Sequence, residues 1–167
     1  PKIIGDPALL LPLIYTPEIV EKKCKVGIVA HFSHNSYFEK YSKIKDVLVI
    51  NLLDDIEKVI DQINSCDLTI STSLHGLIVS HAYSINSLWF YVDQMPIGGD
   101  NIKFYDYFSS VDIEEYKPFE MPEIESFNIQ SIQDKFNQLQ KHSFIKTNLK
   151  KLQKNLLAVA PFKVDKI

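Results

Sequence analysis

Four short apolar runs set the limits on what this chain can fold into. They are KVGIVAHF from residue 25, VLVINLL from 47, LTIST from 68 and SLWFYV from 87. Each is rich in β-branched or aromatic residues, and their near-continuous apolar character marks strands covered on both faces. Between them the period changes. In DDIEKVIDQINSC, Ile56, Val59, Ile60 and Ile63 recur at helical spacing behind an aspartate-rich start. LHGLIVSHAYS reads as a further helix, and NSYFEKYSKI as a weaker one. Buried strands alternating with helices imply an α/β, Rossmann-like parallel sheet with helices on both faces. Strands are expected over 25–30, 47–52, 68–71 and 87–91.

The flanks are different in kind. In GDPALLLPLIY, Asp6 stands ahead of Pro7 as an N-cap before a first-turn proline. After Val92 the expected order is a loop (DQMPIGGDN), a short helix (IKFYDYFSSV) and a proline-punctuated acidic connector. Helices over 131–142 and 144–159 follow. At 167 residues the chain reads as one domain. Residues 1–117 form the Rossmann-like core carrying the site, and 118–167 the connector and carboxy-terminal helices. A start at Pro1, without methionine, reads as a piece of something longer.

Composition removes several functions. A net charge of −3, with no interleaved basic and aromatic residues, argues against a nucleic-acid partner. All 18 basic residues are lysines. Bidentate recognition of phosphate or carboxylate is normally an arginine task. An anion site here must therefore use lysine, histidine, hydroxyls or N–H groups at a helix start. Cys24 and Cys66 fit neither a disulfide framework nor a zinc motif. With no signal peptide and no apolar run long enough to span a bilayer, a cytoplasmic location is expected.

One stretch carries more polar chemistry than a turn needs. After the third run come Ser71, Thr72, Ser73, His75 and Gly76, and His31 ends the first run. Ligands of open parallel sheets bind beyond the carboxyl ends of the strands. If the first and third strands are neighbours, His31 and His75 face one crevice. The N–H groups of His75 and Gly76 then offer an anion site, and Gly76 lets backbone approach a ligand. The plainer alternative is that Ser71 or Ser73 caps the helix, with His75 partly buried beside it. His34, His81 and His142 read as structural; His81, six residues after His75, lies off the latter's helix face, so the two are not expected to pair on a metal.

These residues carry a resemblance. GDPALLLP, GIVAHF, the run from VINLLDD through STSLHGLIVSHAYSINSLW, and GGDNIKFYDYFSSV stand in consistent order over roughly residues 5–111. Together they resemble the polysaccharide pyruvyl transferase family, most closely its bacterial exopolysaccharide and capsule branch. Members are similar to GT-B glycosyltransferases, with two Rossmann-like domains and the active site between them. They transfer a pyruvyl unit from phosphoenolpyruvate to sugar hydroxyls of a glycan acceptor, with no further cofactor. The resemblance implies that this chain is the carboxy-terminal domain, whose amino-terminal partner domain is missing. It puts the family histidine on His75, with Ser71 and Ser73 as neighbouring polar positions. Where many members have an arginine before Leu-His, this chain has Ser73.

Ketal formation needs a proton at the enol carbon, stabilisation of an oxocarbenium-like centre and neutralisation of departing phosphate. Histidine suits the proton transfer, which makes His75 the first candidate and His31 the second. Lys103 suits the phosphate. Asp106, three residues on, suits orienting that lysine or accepting from a sugar hydroxyl; an ordinary surface ion pair is the alternative. Gly98 and Gly99 read as a flexible approach or a turn. A rival reading is a glycosyltransferase domain holding a nucleotide sugar, with Glu114 or Glu115 on the ribose. Another is a non-catalytic family member. On the last helix, Lys146, Lys150 and Lys154 form a basic stripe, which reads as a solvated face or as a peripheral contact with anionic membrane.

Overall fold

The computed structural model describes residues 5–17, 21–98 and 101–160. The four apolar runs are strands β1 (Cys24–Ala30), β2 (Val47–Asn51), β3 (Cys66–Ser71) and β4 (Asn86–Tyr91). A fifth, β5 (Phe119–Glu120), comes from the acidic connector. All pair parallel, in the order β2-β1-β3-β4-β5.

The register explains why the runs do not alternate. Val29, Ser71 and Trp89 lie side by side on one face, because Val29 pairs with Ser71 and Ser71 with Trp89. Helices α2 (Ile56–Asn64), α3 (Leu74–Ala82) and α4 (Ile102–Ser110) cover that face. Val59, Ile60 and Ile63 of α2 cluster there with Val29, Ile50 and Val79. Trp89 stacks on Phe104 of α4, with ring centroids 4.2 Å apart. The next residue, Phe90, points the other way and meets Phe38 of the short α1 (Asn35–Phe38) edge-on at 5.5 Å. Both faces are buried, so consecutive strand residues such as Trp89 and Phe90 are both apolar.

The remaining elements depart from expectation at their ends. Asp6 does cap, accepting from the N–H of Ala8 at 2.8 Å, but residues Pro7–Leu13 wind as a 3-10 helix. Helix α5 (Ile129–Gln138) begins two residues early because the Asn128 side chain caps it, and a separate 3-10 turn follows at Gln140–His142. Helix α6 (Leu149–Val159) starts later than expected, at the Asn148 cap. Lys146 and Thr147 instead donate backbone hydrogen bonds to Val111. Lys146 is thus outside the helix, while Lys150, Lys151 and Lys154 are exposed on it and Leu152 and Leu156 are buried. Among the described residues no helix is long and apolar enough to cross a membrane.

Candidate active site

Strand β1 has β2 on one side and β3 on the other, so the chain leaves their carboxyl ends in opposite directions. That divergence opens a crevice at the switch point of a 2-1-3-4-5 sheet. His31 follows β1 directly, and Ser71 is the last residue of β3. His31, Ser73 and His75 line one cavity of about 470 Å³, whose walls are largely apolar and include Leu11, Leu52, Ile56 and Val79.

Ser71 builds the turn rather than the cavity. It is fully buried, and its Oγ lies 2.9 Å from the Val29 carbonyl and 2.8 Å from that of Ser73. The same oxygen accepts the Ser73 N–H at 3.0 Å. A hydroxyl so engaged ties β1 to the β3–α3 turn, and being fully buried it does not line the cavity. Gly76 is likewise turned inward. A Cβ there would meet Ser71 Oγ and come within 2.6 Å of Val29 Cγ1. The close approach that needs glycine is therefore that of α3 to the sheet, not of backbone to ligand.

Ser73 is the opposite case. It occupies the N-cap of α3, yet its side chain makes no capping bond. The hydroxyl has no partner although the residue is only 5% exposed, and it lines the cavity. The first bond of α3 runs from the Leu77 N–H to the Ser73 carbonyl, leaving the N–H groups of Leu74, His75 and Gly76 as the free start of the helix. His75, one residue into α3, is exposed to the same space. This arrangement suits an anion without arginine.

His31 is half-buried. Its Nδ1 lies 2.8 Å from Ser33 Oγ, and its ring rests against Phe32 at 4.3 Å. Burial, then the neighbouring His34 and Lys103, lower its pKa, so it is neutral near pH 7. Nδ1 accepts the Ser33 N–H at 3.4 Å, so the neutral ring carries its proton on Nε2, which is left to donate. Lys103 does not line the cavity, although its ammonium acts on His31 from α4, where it sits 5.5 Å from the Phe104 ring centroid. Asp106 is exposed one turn on, and the ion pairs among the described residues do not join it to Lys103. Gly98 is exposed with open space around it; Gly99 lies outside the described residues.

Glu114 and Glu115 are at the wrong edge. Helix α4 carries the chain back to the amino-terminal end of the sheet before β5 begins. There the Glu114 carbonyl accepts from His142 Nδ1 at 2.8 Å, beside Ser143, whose carbonyl accepts the N–H of Ser87 near the start of β4. Its carboxylate pairs with Lys141 at 2.6 Å. Neither glutamate can hold a ribose in the switch-point crevice. Among the described residues no group of three His, Cys, Asp or Glu side chains converges as a metal site would.

A polar link that sequence reasoning left aside completes the site. Thr72 is 1% exposed, and its Oγ1 accepts the backbone N–H of His31 at 2.9 Å. The same oxygen lies 3.1 Å from Nδ1 of the buried His34, whose Nε2 lies 2.9 Å from the Met95 carbonyl. The only sequence signal was Thr72 itself, a polar residue at the end of a buried strand.

A model of the polysaccharide pyruvyl transferase family matches residues 1–94, more than half of the 167. The chain belongs to the polysaccharide pyruvyl transferase family. The matched segment contains the whole switch-point crevice from His31 to Gly76. An uncharacterised protein of Acanthamoeba polyphaga mimivirus is 34% identical over 123 residues, which is 70% of this chain and 43% of that protein. The chain thus spans less than half the length of this relative. No solved structure matches it. In this family member the Leu-His-Gly sequence supplies His75 to the cavity, whereas Ser71 and Gly76 serve the turn that presents it.

Proposed function

We propose that this chain is the carboxy-terminal half of a transferase that moves a pyruvyl unit from phosphoenolpyruvate to a sugar hydroxyl in cell-surface polysaccharide synthesis. The observation that carries the reading is the Ser73 hydroxyl, at the cavity wall and without a hydrogen-bond partner among the described residues, beside the free N–H groups of α3 and next to two histidines. Phosphate or carboxylate of the donor sits at that helix start, and Ser73 donates to it. Lys103 adds positive charge from outside the cavity.

His75 gives a proton to the enol methylene carbon, which becomes the methyl group. Positive charge then develops at the adjacent carbon, one sugar hydroxyl adds there, and the bond from that carbon to the phosphate oxygen breaks. A second hydroxyl of the same sugar closes the ketal. Of the two hydroxyl protons, one restores His75 and the other leaves with phosphate, to which neutral His31 donates a hydrogen bond from Nε2. No cofactor beyond the donor is required. The other half of the GT-B-like pair closes over the crevice, and the enzyme works in the cytoplasm.

Titration calorimetry tests the reading. Phosphoenolpyruvate should bind the chain, and Ser73→Ala should weaken it about tenfold, the worth of a hydrogen bond to a charged group. Binding of a nucleotide sugar in its place would mean a glycosyltransferase domain. Binding of neither by the complete two-domain protein would mean a non-catalytic member.

A further inference from the structure

The Thr72–Ser73 turn has a cavity on each side, and only one is accounted for by the donor. Ser73 faces the first. Thr72 and His34 line a second, of about 290 Å³, at the carboxyl end of β4. That size is at the small end of ordinary ligand pockets. Its floor is aromatic: the stacked Trp89 and Phe104, with Tyr91 exposed by 37% beside them. Its polar groups are Asp93 and Asn101. Asn101 sits at the N-cap of α4 yet makes no side-chain capping bond. Asp93 is exposed and enters none of the ion pairs among the described residues.

The chemistry of this lining is selective. Among the described lining residues the one ionised side chain is a carboxylate and none is a lysine, so an anion is disfavoured. His34 adds no positive charge, since its burial between Thr72 and the Met95 carbonyl lowers its pKa. A wholly apolar ligand would leave the carboxylate and the amide desolvated and unpaired. What fits is a neutral ring with one apolar face and a girdle of hydroxyls. The exposed Tyr91 ring, backed by the stacked Trp89 and Phe104, takes the C–H face, a carboxylate accepts from two hydroxyls, and an amide both donates and accepts.

We propose that this second cavity is the subsite for a neutral pyranose. It rests on the pyruvyl-transfer reading only for making that sugar the acceptor. Thr72 lines this cavity and Ser73 the other, so the two subsites flank one turn.

Trp89 is the chain's one tryptophan and lines this cavity but not the first, so its fluorescence reports this subsite alone. Titration with neutral methyl pyranosides of galactose, glucose and mannose should change its emission saturably for at least one. Asp93→Asn and Asn101→Ala should each weaken that sugar about five- to tenfold, the worth of one or two hydrogen bonds. Ser73→Ala should leave the sugar titration unchanged. The inference fails if no glycoside moves the Trp89 signal, if both variants bind as tightly as the parent, or if inorganic phosphate competes for the subsite. Sugar binding without phosphoenolpyruvate binding would uphold the subsite and overturn the transfer reading. Phosphoenolpyruvate binding without sugar binding would do the reverse.

Discussion

Thr72 Oγ1 lies 3.1 Å from Nδ1 of His34, both residues are buried, and the direction of the hydrogen bond between them is determined by its neighbours. The Met95 carbonyl can only accept, so His34 Nε2 carries the proton. Burial lowers the pKa of His34 and keeps it neutral, so Nδ1 accepts and the Thr72 hydroxyl donates. The same oxygen accepts the N–H of His31. One hydroxyl thus joins the loops that follow β1, β3 and β4.

Thr72→Val should therefore cost more than a lost surface hydroxyl. It keeps the shape but leaves a buried imidazole nitrogen and the His31 N–H without partners. The expected loss is about 2–6 kcal/mol, from roughly 1–3 kcal/mol for each of the two stranded groups. Urea denaturation should show it, and Thr72→Ser should restore most of it. Equal stability of the valine and serine variants would mean that the hydroxyl holds nothing.

The strands were legible because runs of residues buried on both faces leave an uninterrupted apolar signal. The two-residue β5 was not, since Phe119 and Glu120 stand between Pro118 and Pro122 with no periodicity to read. The site was legible as a place: residues after the first and third strands meet wherever those strands are neighbours. The duties of its residues were not. Ser71 and Gly76 look like ligand contacts until the Val29 side of the turn is seen, 42 residues away in sequence from the Ser71 hydroxyl it accepts from. The Thr72–His34–Met95 link spans separations of 38 and 61 residues, beyond any local pattern. Glu114 was misplaced because spacing alone does not tell at which edge α4 delivers the chain.

Gly76→Ala checks the inward reading of that glycine. The added methyl would overlap Ser71 Oγ and Val29, both fixed in the sheet. Overpacking of this kind costs about 1–3 kcal/mol and occasionally more. Thermal unfolding should show a lowered Tm, with any loss of phosphoenolpyruvate binding following from the displaced turn. A variant as stable as the parent would return Gly76 to the ligand side.

Acid should weaken the fold through a histidine remote from the site. His81 is fully enclosed, its Nδ1 2.9 Å from the Tyr107 hydroxyl, and burial lowers its pKa to about 4. Unfolded, it titrates near 6.5. Between those values the unfolded chain binds the extra proton, so stability falls as pH drops from 6.5 towards 4. The full effect is on the order of 3 kcal/mol at 1.36 kcal/mol per pH unit. His81→Gln should lower stability at pH 7 yet flatten the slope of stability against pH in this window. A slope unchanged by the substitution would remove His81 as its source.

On α6, Lys150, Lys151 and Lys154 are exposed while Leu152 and Leu156 face the core, so the apolar face is already taken. Any membrane attraction is then purely electrostatic, on the order of 1 kcal/mol per lysine near an anionic surface. Sedimentation with vesicles containing phosphatidylserine should recover more protein than with neutral vesicles, and replacing the three lysines with glutamine should abolish the difference. Indifference to acidic lipid would make this an ordinary solvated face.

His75 and Ser73 line the same cavity, but the transfer reading gives them different work. His75 is exposed at the second residue of the switch-point crevice's helix, so His75→Ala should leave stability within about 0.5 kcal/mol. Loss of a general acid should lower kcat of the two-domain enzyme by about two to four orders of magnitude. Ser73 holds the donor in ground state and transition state alike, so Ser73→Ala should mainly raise KM, with kcat nearly kept. The pair is informative because each result constrains the other. If His75→Ala raised KM alone, the histidine would be a second anchor for the anion and the proton would come from elsewhere, with His31→Ala the next variant to measure. If Ser73→Ala lowered kcat as strongly as His75→Ala, the hydroxyl would act on the reacting atoms, and α3 would be positioning the enol rather than the phosphate.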